Sequence, residues 1–472
     1  MTAFHLAFHI GVHGIVAVGK IYTLQCEHTL TAAFGLREMK PLHLAILALR
    51  HIHQIRLQSI NLLLLALGLR GLGVLRSKAV HKGLQVLDLG EQPLANNFLS
   101  TEDLDQPEPR FPLRLAVCTE CWLLQITDLV PPVELFSEYV YFSSYSDAWV
   151  AHAAECAARY QKEFAPQHVV EIASNDGYLL RHFAEAGVSH LGIEPADNVA
   201  AVARGRGVNT RVDFFTEPLA RELAAEQPAD LILANNVFAH APDTNDFVAG
   251  LRELLSPEGR AVLEFPYAVD MIEQGEFDTI YHEHVFYFTL IALEPLFARH
   301  QLRITQVERT PLHGGSLRIF VRHATHAAED SVAELRATET SAGVNTAAFY
   351  ENFAAQAAAT REALRGKLAA LRAAGQRVAA YGAAAKGSTL MNYCGLTAPD
   401  LEFVADRSPH KHGRLTPGTH VPVVDADELA KRAPDVTLLL AWNFADEILA
   451  QQAAYREAGG RFLIPIPEVR LI

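Results

Sequence analysis

The chain has 472 residues, 50% of them apolar and 20% charged, with a formal net charge of −14. That length is more than one ordinary core can serve, so several domains are expected. The acidic balance excludes a bulk nucleic-acid binder, and the apolar content excludes a disordered chain.

Residues 1–84 stand apart, with nine Lys/Arg against two acids and eight of the 22 histidines. Their longest apolar run, Leu62–Leu69, is far short of the roughly 20 residues that span a bilayer, so no membrane span is expected. Segment 1–83 reads as an atypical extension without a packed core of its own, as a misplaced start would produce. A basic amphipathic arm is the competing reading. Five cysteines make no disulfide scaffold, which points to a reduced, cytoplasmic setting.

From Leu84 the character changes. "LQVLDLGEQPLANNFLS" alternates apolar positions and then breaks into turn residues. Short strand-like runs surround the C-x-x-C of Cys118 and Cys121, as in a small zinc ribbon, over 84–148. "SEYVYFSSYSDAW" leads into an Ala-rich helix from Val150 to Glu163. Four buried-strand runs follow: "HVVEIAS", "HLGIEPA", "ADLILANNVFAHA" and "GRAVLEFPY", with helices between them. This is the pattern of a doubly wound parallel sheet over 149–327, closed by "LRIFVRHA" as an antiparallel edge. A helical linker over 328–374 precedes a second, smaller α/β alternation over 375–472.

Glu171 ends the first strand, and the turn Ser174, Asn175, Asp176, Gly177 opens a helix whose N-terminus favours negative charge. Glu194 ends the second strand, where an acid can accept hydrogen bonds from a ribose diol. Asn235, Asn236 and His240 follow the third strand at the same carboxyl edge. The glycine-rich turn of S-adenosylmethionine (SAM) methyltransferases is degenerate, because Ala173 and Asn175 stand where glycines are expected.

"EFDTIYHEHVFYF" places Tyr281, His282, Glu283 and His284 in a row after the fourth strand. Alternation would put Tyr281 and Glu283 on one side and the two histidines on the other. A metal site, a buried core histidine and a proton-abstracting base are the three readings of that segment.

"DLGEQPLANNFL", "VEIASNDGYLL", "GIEPADNVA", "NNVFAHAPD", "EFDTIYHEHVFYF", "HGGSLRIF" and "AYGAAAKGSTLMNY" stand in the same order as in the sugar C-methyltransferase family, which this chain resembles over 84–472. The resemblance implies an α/β fold in three parts. These are a zinc-ribbon-like N-terminal module, a Rossmann-like class I SAM methyltransferase domain, and a second Rossmann-like domain that helps hold a nucleotide-sugar. It implies C-methylation of a nucleotide-activated 4-keto deoxysugar. A base removes the proton beside the ketone, and the resulting carbanion takes the methyl in line.

By that resemblance His284 is the candidate base, supported by Tyr281 and Glu283, with His240 as the other candidate. Glu171, Ser174, Asn175, Asp176, Gly177, Glu194, Asn235 and Asn236 are expected around the cofactor. Tyr139, Tyr141, Ser143, Ser144, His313, Arg318, Lys386 and Ser388 are expected at the substrate, with Arg318 and Lys386 reaching phosphate. Cys118 and Cys121 are half of a structural zinc site. The family's first cysteine pair is missing, since "RSKAVHKGLQV" contains no cysteine and only His81 lies nearby. Methylation of another small molecule at O or C, and a non-catalytic SAM- or nucleotide-binding partner protein, are the competing functions.

Overall fold

The computed structural model describes residues 75–76, 83–136, 142–311 and 314–472. The expectations placed on Tyr139, Tyr141 and His313, and on nearly all of residues 1–83, lie outside the described residues. Gly73–Ile472 form one compact unit.

β1 (Leu75–Arg76) pairs with β5 (Asp128–Leu129). β2 (Gly83–Gln92), β3 (Phe111–Cys118) and β4 (Leu124–Ile126) form an antiparallel meander. Leu113, Leu115 and Val117, at every second position of β3, are buried, as a half-covered strand requires. Helix α1 (Asp147–Phe164) starts at Ser146, whose hydroxyl accepts from the Trp149 N–H. It buries Trp149, Ala153, Cys156, Ala157 and Tyr160 along one helical face.

Seven strands build the central sheet: β6 (His168–Ile172), β7 (Ser189–Ile193), β8 (Thr210–Arg211), β9 (Ala229–Asn235), β10 (Leu255–Pro266), β12 (Leu302–Thr310) and β13 (Ser316–His323). Their spatial order is β12-β13-β10-β9-β6-β7-β8, and only β13 runs antiparallel to its two neighbours. "LRIFVRHA", expected at the edge, is β13 and lies inside the sheet; the edge is β12, whose polar alternation hid it. The order reverses between β6 and β9, so the loops after them open a crevice at the carboxyl ends.

β11 (Phe286–Tyr287) follows the YHEH segment but belongs to the first sheet, pairing with β4. The N-terminal module is therefore welded to the segment that carries the candidate base. Ile126 N–H donates to the Val285 carbonyl (2.9 Å), and Val285 N–H donates to the Ala239 carbonyl (2.8 Å).

Helix α2 (Phe353–Ala373) leads into a six-stranded sheet ordered β16-β15-β14-β17-β18-β19. Its strands are β14 (Val378–Tyr381), β15 (Val404–Asp406), β16 (Val423–Asp425), β17 (Val436–Leu439), β18 (Arg461–Ile464) and the antiparallel β19 (Arg470–Leu471). Helix α3 (Ala385–Cys394) follows β14 and docks on the loop before YHEH, where Thr389 Oγ1 donates to the Ile280 carbonyl (3.0 Å).

Candidate active site

One cavity of about 630 Å³ collects residues from all three regions. That is the size of a small-molecule site. Asn175, Glu194, Asn235, Asn236 and His240 line it from the central sheet, Tyr281, Glu283 and His284 from the YHEH segment, Ser143 from the stretch before α1, and Lys386 from α3.

The cofactor side is a bent loop. Ala173 (φ 54°) and Asn175 (φ 48°) adopt the left-handed backbone that glycine would take more cheaply, and Gly177 completes it at φ 77°. Non-glycine residues thus hold left-handed backbone at the positions where glycines were expected. Gly177 itself is irreplaceable, because a Cβ would stand 2.8 Å from Val208 Cγ2. Glu194 accepts from the N–H groups of Asn175 (3.0 Å) and Ala196 (2.9 Å). Burial pushes its carboxyl up to about 7 despite those donors. Trp149, Ile193, Phe215 and the exposed Phe214 give apolar faces to this end, and Asn236 Oδ1 is buried without a hydrogen-bond partner among the described residues. Ribose acceptor, apolar faces and an open polar acceptor suit SAM.

The other side holds the candidate base. His284 Nδ1 lies 3.1 Å from the Thr279 carbonyl, which can only accept, so Nδ1 carries the proton. Nε2 is then the basic atom, 2.7 Å from the Tyr281 hydroxyl. The His240 ring meets His284 edge to face, with centroids 4.8 Å apart. Burial lowers His240 to about 4, which makes it a weak base at neutral pH. Glu283 Oε1 accepts from Asn96 Nδ2 (2.7 Å), which enters the cavity from the N-terminal module. His282 faces away. Its Nε2 donates to the Pro112 carbonyl (3.3 Å), its ring meets Phe111 edge-on, and burial lowers it to about 4. It pins the segment to β3.

Comparison with known proteins gives the family. Residues 80–136 match the family model described as "Putative zinc binding domain", 147–307 match "Methyltransferase domain", and 311–467 match "C-methyltransferase C-terminal domain". The chain is 38% identical over 396 residues to C-methyltransferase NovU of Streptomyces niveus, spanning 82% of this chain and 94% of that one. This protein belongs to the C-methyltransferase family. The enzyme is a SAM-dependent C-methyltransferase. It is also similar to the CcbJ methyltransferase of Streptomyces caelestis (15% identity, 40% of this chain and 98% of that one, TM-score 0.32). A further likeness is to the magnesium protoporphyrin IX methyltransferase ChlM of Synechocystis PCC 6803, determined with bound SAM (13% identity, 37% and 77%, TM-score 0.28).

Several residues expected at the site are committed elsewhere in the enzyme. Arg318 stands opposite Glu264 in the β10–β13 register and bonds it through Nε (2.8 Å) and Nη2 (2.6 Å). Its Nη1 donates to Glu308 (3.1 Å), and Nη2 also meets His152 (3.1 Å). A guanidinium so consumed, and buried, has no face left for phosphate. Asp176 is fully buried, pairs with Arg206 (3.0 Å), and accepts a short hydrogen bond from the Ser144 hydroxyl. Asp176 and Ser144 thus latch the stretch before α1 onto the cofactor turn. Ser174 packs against Gly192, where a Cβ would sit 2.3 Å from its Oγ. Glu171 lies under the turn, with burial raising its carboxyl well above the usual range. Ser388 is buried within α3.

Asn96, Trp149 and Phe214 line the cavity although sequence reasoning gave them no role there, and so does Lys411 of "DRSPHKHGRLTPG", whose basic residues were expected near the substrate phosphates. "LANNFL" quoted Asn96 in a family motif, which was its one available signal. Lys411 Nζ donates to the Ala383 carbonyl (2.8 Å), shaping the turn before α3.

A structural zinc wants four protein ligands. Among the described residues, no cluster of three or more His, Cys, Asp or Glu is placed to hold a metal. Cys118 and Cys121 form a tight turn closed by Trp122 N–H on the Cys118 carbonyl (2.9 Å), but they are two ligands, so the described residues do not fit a closed zinc site. No helix among the described residues is long and apolar enough to cross a membrane.

Proposed function

We propose that this C-methyltransferase acts on a nucleotide-activated 4-keto deoxysugar, with His284 as the base that removes the proton beside the ketone. The observation that carries the reading is the oriented His284. Its proton is fixed on Nδ1 by the Thr279 carbonyl, and its basic Nε2 is held by Tyr281 within the cavity that the cofactor turn also lines. His240, weakly basic, shapes the ring's neighbourhood instead of taking the proton.

SAM supplies an electrophilic methyl group when bound. Glu194 would hold its ribose, Asn175 and Asn236 its amino-acid end, and Phe214 its base. The chain's own residues do the rest. Tyr281 and Glu283 keep the sugar against His284, Asn96 orients Glu283, and the apolar walls exclude water so that the carbanion is not quenched by a solvent proton.

The test is incubation with SAM and a panel of nucleotide-linked 4-keto sugars, read by mass and by NMR. The proposal expects one methyl bonded to ring carbon beside the ketone. A methyl on oxygen, or turnover of unrelated small molecules alone, would overturn the substrate assignment.

A further inference from the structure

Where the C-terminal domain meets the loop that carries the candidate base, buried polar atoms stand without hydrogen-bond partners among the described residues. Lys386 is the second residue of α3, and it lines the cavity. Its Nζ is shielded from solvent, has no hydrogen-bond partner among the described residues, and lies 4.5 Å from the centroid of the Trp442 ring. The buried Glu276 and Asp278 of the loop supply its opposing charge. Asp278 Oδ2 accepts from Trp442 Nε1 (2.7 Å), but Asp278 Oδ1 and Glu276 Oε1 accept nothing from the described residues. Gly314 packs its backbone on Glu276 so closely that a Cβ would stand 2.5 Å from Oε1. Asn443, which also lines the cavity, leaves Nδ2 unbonded.

Burial pulls the Lys386 ammonium below its ordinary value while the two acids hold it up, and burial raises the carboxyls of Asp278 and Glu276 while Lys386 pulls them back down. A phosphate suits this corner poorly, because two carboxylates share it with the amine. A neutral carbonyl oxygen suits it well. Such an oxygen needs a positive donor only while it carries charge, and a preorganised donor of that kind is a large part of catalysis at carbonyl centres.

Resting on the keto-sugar reading, we propose that Lys386 is a further catalytic residue, its ammonium donating to the ketone oxygen as negative charge collects there. When His284 Nε2 takes the neighbouring C–H proton, the bonding pair becomes a C=C bond and the carbonyl π pair moves onto oxygen. Lys386 meets that oxygen and keeps its own proton. The C=C pair then forms the bond to the methyl carbon, the pair of the broken sulfur–methyl bond stays on the donor's sulfur, and the oxygen pair re-forms the C=O bond. Asp278 and Glu276 keep the amine charged and aimed. The C-terminal domain then completes the catalytic centre as well as holding the substrate.

The experiment follows exchange of the substrate's α-hydrogen with deuterated water in the absence of the methyl donor, beside methyl transfer and the affinity for free nucleoside diphosphates. Lys386→Met keeps the aliphatic stem and removes the charge. It is expected to slow both exchange and kcat by roughly 10²–10³-fold with diphosphate affinity unchanged. Lys386→Arg, which keeps a charge, is expected to retain more exchange than Lys386→Met, and Lys386→Gln serves where Lys386→Met does not fold. Weaker diphosphate binding with unchanged exchange at saturating substrate would make Lys386 a phosphate contact and overturn the proposal. Equal loss in the charged and neutral variants would also overturn it. A wild-type chain that exchanges no keto-sugar sinks the functional reading itself; variants that keep pace with an active wild type sink the Lys386 role alone.

Discussion

Two histidines two residues apart, His282 and His284, do different work because of what each ring nitrogen meets. His282 spends its donor on the Pro112 carbonyl of another strand, while His284 spends Nδ1 on Thr279 and leaves Nε2 basic. Spacing could put both on one side of the segment; it could not say which carbonyl each would find. Glu194 was legible from its position at a strand end, but its protonation was not. With burial raising its carboxyl to about 7, the ionised acceptor is lost as pH falls through that value. SAM affinity is therefore expected to weaken below about pH 7 in the wild type. In Glu194→Gln it should be flat with pH, weaker than the wild type above about pH 7 and close to it at pH 5.5, as titration calorimetry across pH 5.5–8.5 would register. A wild-type affinity independent of pH would remove Glu194 as an ionised contact.

At the level of elements, the parallel strands and the second α/β unit could be read from apolar runs, because strands covered on both faces carry little else. β12, with its charged alternation, escaped that signal. So did Arg318, whose role depends on the register that puts it opposite Glu264. The cluster extends to His152, whose ring lies 3.1 Å from Glu264. Burial opposes charge on His152, but its contacts to Cys156 and Glu264 raise it to about 9. The stability this contact adds is present in full below about 6.5, the ordinary value, and is lost as pH rises through about 9. Arg318→Met strands a buried carboxylate and is expected to destabilise the fold by about 3–5 kcal/mol in denaturant titration. A variant of wild-type stability with only a raised KM for the nucleotide-sugar would return Arg318 to phosphate binding.

Over the whole molecule, three sequence regions share one cavity. The N-terminal sheet takes β11 from the methyltransferase region and sends Asn96 to Glu283, while α3 brings Lys386 from the far end of the chain. None of these long-range contacts follows from local pattern, although the ordered motifs pointed to the family. The same scale carries the zinc prediction. With Cys118 and Cys121 as the sole cysteines near the turn, metal analysis of the purified chain should find well under one zinc per chain; a tightly held stoichiometric zinc would show that ligands from elsewhere complete the site. The central claim, that His284 takes the sugar proton, is tested most directly by methyl transfer in His284→Asn, with SAM affinity measured on the same preparation. The account predicts turnover reduced by roughly 10²–10⁴-fold with SAM affinity nearly unchanged. Turnover retained near the wild-type rate, or SAM binding lost along with it, would contradict the assignment.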